Sequence, residues 1–199
     1  MGLIDRLLGS REKVVYIGVG GAGVAAINDL SKRRVRGQLI AIDTDESILE
    51  MLGENVEVVL AGKRTGKDYG SNGDAALAQS LILDEGTKIT DLLLKNDADT
   101  AVIISAVGGG TGTGGTPIVA DLCREFGKNV ITLIIAPFAI EKARIKKAKE
   151  GIREIQKASD VSYIFENDQM VSANEAMSET LVKANRLIAD KALKEMRIS

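Results

Sequence analysis

Short apolar segments alternate with longer amphipathic segments along most of this 199-residue chain. The apolar runs are rich in β-branched residues and predict strands over 14–19, 39–42, 56–60, 100–107, 130–136 and 161–165. Helical spacing predicts helices over 24–33, 47–52, 74–95, 118–126 and 141–157, with a break in the third near Gly86, and a last long helix from about 174 or 178 to the end. This alternation predicts an α/β fold: a doubly wound, mainly parallel, Rossmann-like sheet.

The run GGGTGTGG occupies residues 108–115, directly after a predicted strand. Glycine has no Cβ, so such a run can turn sharply and let a ligand come close to its N–H groups. The helix predicted to follow adds unpaired N–H donors and the positive end of its dipole, which together favour a phosphate. The hydroxyl groups of Thr111 and Thr113 would add donors. A flexible loop without a ligand would not need so many glycines, so we favour a phosphate site.

A second glycine-rich turn follows the first predicted strand. Gly18, Gly20 and Gly23 match the dinucleotide pattern G-x-G-x-x-G, and Asp43 closes the next strand where a dinucleotide-binding protein places its ribose-binding acid. Taken alone, this pattern indicates NAD binding, which remains the less favoured alternative. Two glycine-rich turns after separate strands better suit a nucleoside di- or triphosphate held by backbone amides. No Walker A motif is present, because residues 62–68 have the wrong spacing.

Composition excludes several catalytic chemistries. The chain has no histidine and one cysteine, Cys123, which argues against a Ser-His-Asp triad, a histidine-bound metal and a disulfide framework. The formal net charge of -2 argues against a protein whose main task is to coat nucleic acid. The chain has no apolar run of membrane-spanning length, and we expect a cytoplasmic protein. Residues 1–12 predict a short amphipathic helix or extension, for which membrane contact through residues 1–10 is the less favoured interpretation.

These motifs, in this order, resemble those of the tubulin/FtsZ GTPases over nearly the whole chain. GGGTGTGG is similar to the family signature, and 17–23, 42–45 and 66–72 look like its first, second and third phosphate loops. The family element PFxxE, whose glutamate reaches the ribose, is matched by Pro137, Phe138 and Glu141, and Arg144 corresponds to the arginine that follows it. Asn167 and Asp168 stand where the family has the dipeptide ND, whose asparagine contacts the sugar or guanine.

The resemblance implies GTP or GDP as ligand, with Mg²⁺ accompanying GTP through phosphate oxygens and water. It assigns no catalytic residue and no metal ligand to this chain. The residues expected to bind the nucleotide are Gly20, Gly21, Ala22, Gly23, Asp43, Ser71, Asn72, Gly108, Gly109, Gly110, Thr111, Gly112, Thr113, Gly114, Pro137, Glu141, Arg144, Asn167 and Glu179.

Several positions depart from the family pattern. Asp43 stands where the family commonly has asparagine, and a carboxylate there can accept ribose hydroxyls but disfavours a nearby phosphate. Ala22 and Ala25 replace a glycine and an asparagine. Glu179 stands where the last helix reads guanine, although it fits an ordinary solvated acid equally well. No aromatic residue occurs over 167–199 to stack on the base.

We expect one nucleotide-binding domain over 13–199 that ends in the long central helix of the family. In the family, that helix leads to an acidic loop that reaches the nucleotide of the next subunit in a filament. This loop and the second family domain are absent from the 199 residues, so we expect slow intrinsic hydrolysis. Self-association or binding to a related FtsZ/tubulin-like protein is the expected interaction. The alternative is a non-hydrolysing structural or regulatory module that uses nucleotide as a switch or fixed cofactor.

Overall fold

The computed structural model describes residues 13–62, 70–170 and 190. The predicted N-terminal helix over 1–12, nearly all of the predicted last helix and Glu179 lie outside the described residues. Within the described ranges, no helix is both long and apolar enough to cross a membrane.

The strands form one six-stranded sheet in which every neighbouring pair is parallel. They are β1 (Val14–Val19), β2 (Gln38–Asp43), β3 (Glu57–Leu60), β4 (Thr100–Ala106), β5 (Asn129–Ala136) and β6 (Val161–Glu166). The prediction of a doubly wound parallel sheet is therefore confirmed. The spatial order is β3-β2-β1-β4-β5-β6, so the winding direction reverses between β1 and β4. In such sheets, ligands bind beyond the carboxyl ends of the strands at this reversal.

Helices connect the strands. They are α1 (Gly20–Lys32), α2 (Glu46–Leu49), α3 (Ala75–Asp84), α4 (Gly86–Leu94), α5 (Thr111–Glu125), α6 (Lys142–Ala158) and α7 (Asn167–Met170). The segment predicted as helical over 74–95 is two helices, and the break falls at Glu85, next to Gly86.

Two helices begin earlier than predicted. Helix α1 begins at Gly20 rather than near residue 24, and α5 begins at Thr111 rather than near Pro117. The prediction followed intrinsic propensity, since glycine is disfavoured in helices by about 1 kcal/mol relative to alanine and proline suits a first turn. Close packing overrides that propensity: a Cβ placed on Gly112 would lie 2.0 Å from the carbonyl oxygen of Ala106. The second half of each glycine-rich run is therefore helical.

The central strands β2, β1, β4 and β5 are buried on both faces, which explains their continuous apolar runs. Along β1, Val15, Ile17 and Val19 face a core shared with α3, α4 and α5. Val14 and Tyr16 face the opposite core, shared with α1 and α2. Because both faces are packed, the carboxyl ends of these strands are held side by side at one edge of the sheet.

Gly114 tests the packing that places α5. A Cβ on Gly114 would lie 1.9 Å from the carbonyl oxygen of Ala75, at the start of α3. We expect Gly114→Ala to lower the free energy of unfolding by about 1–3 kcal/mol, because backbone atoms must separate to admit the methyl group. Urea denaturation measures the change.

The matched control is Gly86→Ala, where an added Cβ meets nothing within 4 Å. Alanine is the better helix former, so this variant should be as stable as the wild type or more so. Equal urea midpoints for Gly114→Ala and Gly86→Ala would contradict the packing role of Gly114.

Candidate functional site

A cavity of about 630 Å³ opens beyond the carboxyl ends of the strands. This volume lies within the usual range for small-molecule sites. Of the residues predicted to bind the ligand, the cavity is lined by Gly20, Gly21, Ala22, Asp43, Ser71, Asn72, Gly109, Gly110, Thr111, Gly112, Pro137, Glu141, Arg144 and Asn167. Segments that follow all six strands of the sheet thus meet at one place.

The two glycine-rich turns contact each other inside this cavity. Gly20 has a φ of 78°, a conformation that favours glycine. A Cβ placed on it would lie 3.0 Å from the backbone nitrogen of Gly112. A side chain on Gly20 would therefore crowd Gly112, so the backbones of the two turns lie directly beside each other. The turns therefore converge, as binding of a single phosphate group by both requires.

The N-termini of α1 and α5 lie at the cavity. Neither helix has a hydrogen bond from a capping side chain, a feature they share with α4 and α6, whereas the side chain of Asp45 caps α2 and that of Asp74 caps α3. The first N–H groups of a helix need an acceptor, and anions fill this role well. Two uncapped helices that begin at one cavity make it suited to phosphate.

A buried network of hydroxyl groups joins the loops below the glycine-rich turns. The Oγ1 atom of Thr111 lies 2.8 Å from Oγ1 of Thr44 and 3.2 Å from Oδ1 of Asp43. Thr44 also accepts a hydrogen bond of 2.9 Å from the backbone N–H of Ser71. The Thr111 hydroxyl thus ties the loops after β2 and β3 to α5, and its predicted contact with phosphate stays a prediction.

Some of the predicted residues do not line the cavity. The backbone N–H of Gly108 donates to Oγ1 of Thr113 at 2.8 Å, so this hydroxyl holds the turn in shape. A Cβ on Gly23 would lie 2.3 Å from the carbonyl oxygen of Ile104, which identifies Gly23 as a contact between α1 and the sheet. Gly114 has the equivalent place between α5 and α3. Ligand contacts by Gly23, Gly108, Thr113 and Gly114 stay predictions, as does any role of Glu179.

Glu141 and Arg144 organise another part of the lining. Arg144 donates from Nη1 to Oε1 of Glu141 at 2.9 Å, while Oε2 of Glu141 accepts the backbone N–H of Phe138 at 3.0 Å. The glutamate therefore fixes the turn that follows β5. Asn167, at the end of β6, is 7% exposed, and its Oδ1 has no hydrogen-bond partner in the protein. An unpartnered buried oxygen is rare in folded proteins, and Asn167 lies in the cavity lining.

Asp43 is the most unusual group in the site, with 2% of its surface exposed. Its Oδ1 accepts hydrogen bonds from the backbone N–H groups of Thr44 at 2.6 Å and Asp45 at 3.3 Å, and from the Thr111 hydroxyl. Its Oδ2 has no partner. Burial raises the pKa of Asp43 above its ordinary value, against the lowering effect of these hydrogen bonds, and the nearby charge of Asp45 raises it further.

Sequence reasoning missed Thr44 as a member of the site. It is fully buried, lines the cavity and links Thr111 to Ser71. The signal was its position in the second loop motif at 42–45. Within the described part of the chain, no group of three or more histidine, cysteine, aspartate or glutamate residues is arranged to hold a metal ion.

Comparison with known proteins agrees with this architecture. The family model described as "Tubulin/FtsZ family, GTPase domain" matches residues 13–175. The chain is 34% identical over 161 residues to the cell division protein FtsZ 2 of Haloferax volcanii, covering 80% of this chain and 39% of the relative. It is 32% identical over 180 residues to FtsZ 2 of Methanocaldococcus jannaschii, covering 89% of this chain and 47% of the relative.

Solved structures show the same fold. An empty FtsZ dimer from M. jannaschii superposes with a TM-score of 0.87 at 24% identity, covering 98% of this chain and 57% of that one. A GTPγS-bound CetZ2 protofilament from H. volcanii superposes with a TM-score of 0.83 at 28% identity, covering 92% of this chain and 58% of that one. The parallel sheet and the family match define a domain of the tubulin/FtsZ GTPase-domain type. The chain belongs to the tubulin/FtsZ family, and it spans less than half the length of these two FtsZ 2 relatives.

The buried carboxyl of Asp43 makes stability depend on pH. Its folded pKa is raised, so its contribution to stability is fully present below the unfolded pKa of about 3.9 and is lost as pH rises through the folded pKa. The amide oxygen of Asn in Asp43→Asn can accept the same hydrogen bonds without a charge. We therefore expect this variant to melt at a higher temperature than the wild type at pH 8, with the difference narrowing toward pH 4.

Thermal melts followed by circular dichroism across this pH range measure the effect. Asp84→Asn is the matched control, because it removes an exposed carboxylate at the end of α3. A lower melting temperature for Asp43→Asn than for wild type at pH 8 would show that the ionised carboxylate is stabilising.

Proposed function

We propose that this chain binds GDP and GTP at the cavity beyond β1 and β4. The observation that carries the proposal is the meeting of two uncapped helix N-termini, with Gly20 and Gly112 in contact, at one cavity. The backbone N–H groups of the two turns hold the phosphates, and the dipoles of α1 and α5 stabilise their charge.

Other residues of the lining orient the nucleoside. The unpartnered Oδ1 of Asn167 accepts a hydrogen bond from the sugar or base. Glu141 and Arg144 form an ion pair and both line the cavity, and we assign Glu141 to the ribose. Mg²⁺ accompanies GTP through phosphate oxygens and water.

The experiment that tests binding compares GDP and GTP with ATP and NAD by titration calorimetry. We expect the guanine nucleotides to bind and the other two to bind at least tenfold more weakly. Equal affinity for ATP would contradict the guanine assignment, and preference for NAD would support the dinucleotide alternative.

Gly109→Ala tests the location of the phosphates. An added Cβ there meets no protein atom within 4 Å, yet Gly109 lines the cavity, so the methyl group occupies ligand space and leaves the fold intact. We expect GDP affinity to fall at least tenfold without a change in the urea midpoint. Gly86→Ala is the control, since its Cβ is equally unhindered and lies outside the cavity lining. Unchanged GDP affinity in Gly109→Ala would place the phosphates elsewhere.

We further propose that nucleotide binding is linked to self-association. Support comes from relatives described as an FtsZ dimer and a GTPγS-bound CetZ2 protofilament. Hydrolysis by this chain is slow, because each described carboxylate of the cavity already accepts structural hydrogen bonds: Glu141 from Arg144 and Phe138, Asp45 from the N-terminus of α2, and Asp43 through its Oδ1 from Thr44, Asp45 and Thr111. The same observation favours the second candidate, a module that assembles around nucleotide without turnover.

Analytical ultracentrifugation with GTP, paired with a phosphate-release assay on the same samples, tests this proposal. We expect larger species with GTP than without nucleotide, and little phosphate release. Release that rises steeply with protein concentration would instead indicate an assembly-activated GTPase, and unchanged sedimentation would contradict self-association.

A further inference from the structure

We propose that Asp43 takes up a proton when the phosphate groups of a nucleotide bind, so that this chain holds nucleotide more tightly at acidic pH. The inference rests on the proposed function and adds to it a specificity-determining residue that sets the pH range of binding.

The geometry separates the roles of the two carboxyl oxygens. Oδ1 of Asp43 already accepts from Thr44, Asp45 and Thr111, so it has little capacity for another donor. Oδ2 is buried and unpartnered in a residue that lines the cavity. A proton on Oδ2 therefore leaves every existing hydrogen bond in place and creates a new O–H donor.

The ionised form keeps its negative charge. A phosphate adds negative charge to the same cavity, and two nearby anions in a site of low dielectric repel each other. A proton on the buried Oδ2 removes the charge of Asp43 and with it this repulsion. Proton uptake thus converts Asp43 from a charged group that opposes phosphate binding into a neutral group that does not.

None of the described residues that line the cavity supplies an unpaired positive charge to offset the negative charge of an ionised Asp43. On its own loop, the nearby charge is Asp45, which is also negative. Helix α5 presents Thr111, and 70–73 and the turn after β1 contribute uncharged residues to the lining. Arg144 is the one lysine or arginine among the described lining residues, and it is paired with Glu141.

An asparagine at this position would behave differently. Its amide group supplies an oxygen acceptor for the three existing donors and carries no charge at any pH. Asp43→Asn is therefore both a conservative change in shape and a direct test of the proton. Since the neutral side chain suits this buried site, the variant is expected to fold.

The test is calorimetric titration of GDP into wild type, Asp43→Asn and Asp84→Asn between pH 5 and 8.5. Each titration is done in two buffers of different ionisation enthalpy, which gives the number of protons taken up. GDP itself titrates in this range, but its contribution is common to the three chains. On binding GDP, wild type and Asp84→Asn should each take up more protons than Asp43→Asn. The expected difference is at most one proton per bound GDP.

Affinity gives the second readout. Above the pKa of Asp43 in the free protein, the affinity of wild type should fall by up to about tenfold per pH unit relative to Asp43→Asn. At pH 8 the variant should therefore bind GDP more tightly than wild type. Equal proton uptake by the two chains, or weaker GDP binding by Asp43→Asn at pH 8, would overturn the inference.

Inorganic pyrophosphate, used as a second probe, separates this inference from the proposed function. If GDP shows no advantage over ATP while pyrophosphate binds with Asp43-dependent proton uptake, the guanine assignment fails and the role of Asp43 stands. If GDP binds with the same proton uptake in both chains, only the role of Asp43 fails. If neither GDP nor pyrophosphate binds at any pH, both fail.

Discussion

The contact between the backbones of Gly20 and Gly112 is the constraint on which the site depends. It joins the N-termini of α1 and α5 across the point where the sheet reverses its winding. Neither helix has a side-chain cap, so the donors of both point toward a shared space. A larger side chain at either position would separate the turns and divide one strong anion site into two weaker ones.

The loops below the two turns contain buried polar groups that need hydrogen-bond partners. The hydroxyl network supplies these partners. Thr44, Thr111 and Asp43 satisfy one another below the turns and hold the loop after β2 against α5. The network is complete except for Oδ2 of Asp43, while Oδ1 of Asn167 is a second unpartnered atom of the same cavity. Unsatisfied buried atoms are rare in folded proteins, and here both occur where a ligand would lie. The other two such atoms among the described residues, Oδ2 of Asp29 and Nη2 of Arg33, form an ion pair with each other outside the cavity.

Residue patterns were sufficient to predict the sheet and most of the site. The strands were predictable because each is a β-branched apolar run, and the glycine motifs located the turns that line the cavity. The starts of α1 and α5 were not, because Gly20 and Thr111 become helical through packing rather than propensity. The network around Thr44 was also beyond prediction, since it depends on the meeting of residues far apart in sequence.

The packing of the loop before α3 has a mechanical consequence. A Cβ on Gly110 would lie 2.0 Å from Oγ of Ser71 and 3.0 Å from the carbonyl oxygen of Asp74, which begins α3. Gly114 is in similarly close contact with Ala75, so the glycine-rich run is tightly packed against this helix. A shift of Gly110 toward α3 would therefore bring it into steric clash with the start of that helix. The glycine-rich run and α3 thus fix each other's position beside the cavity.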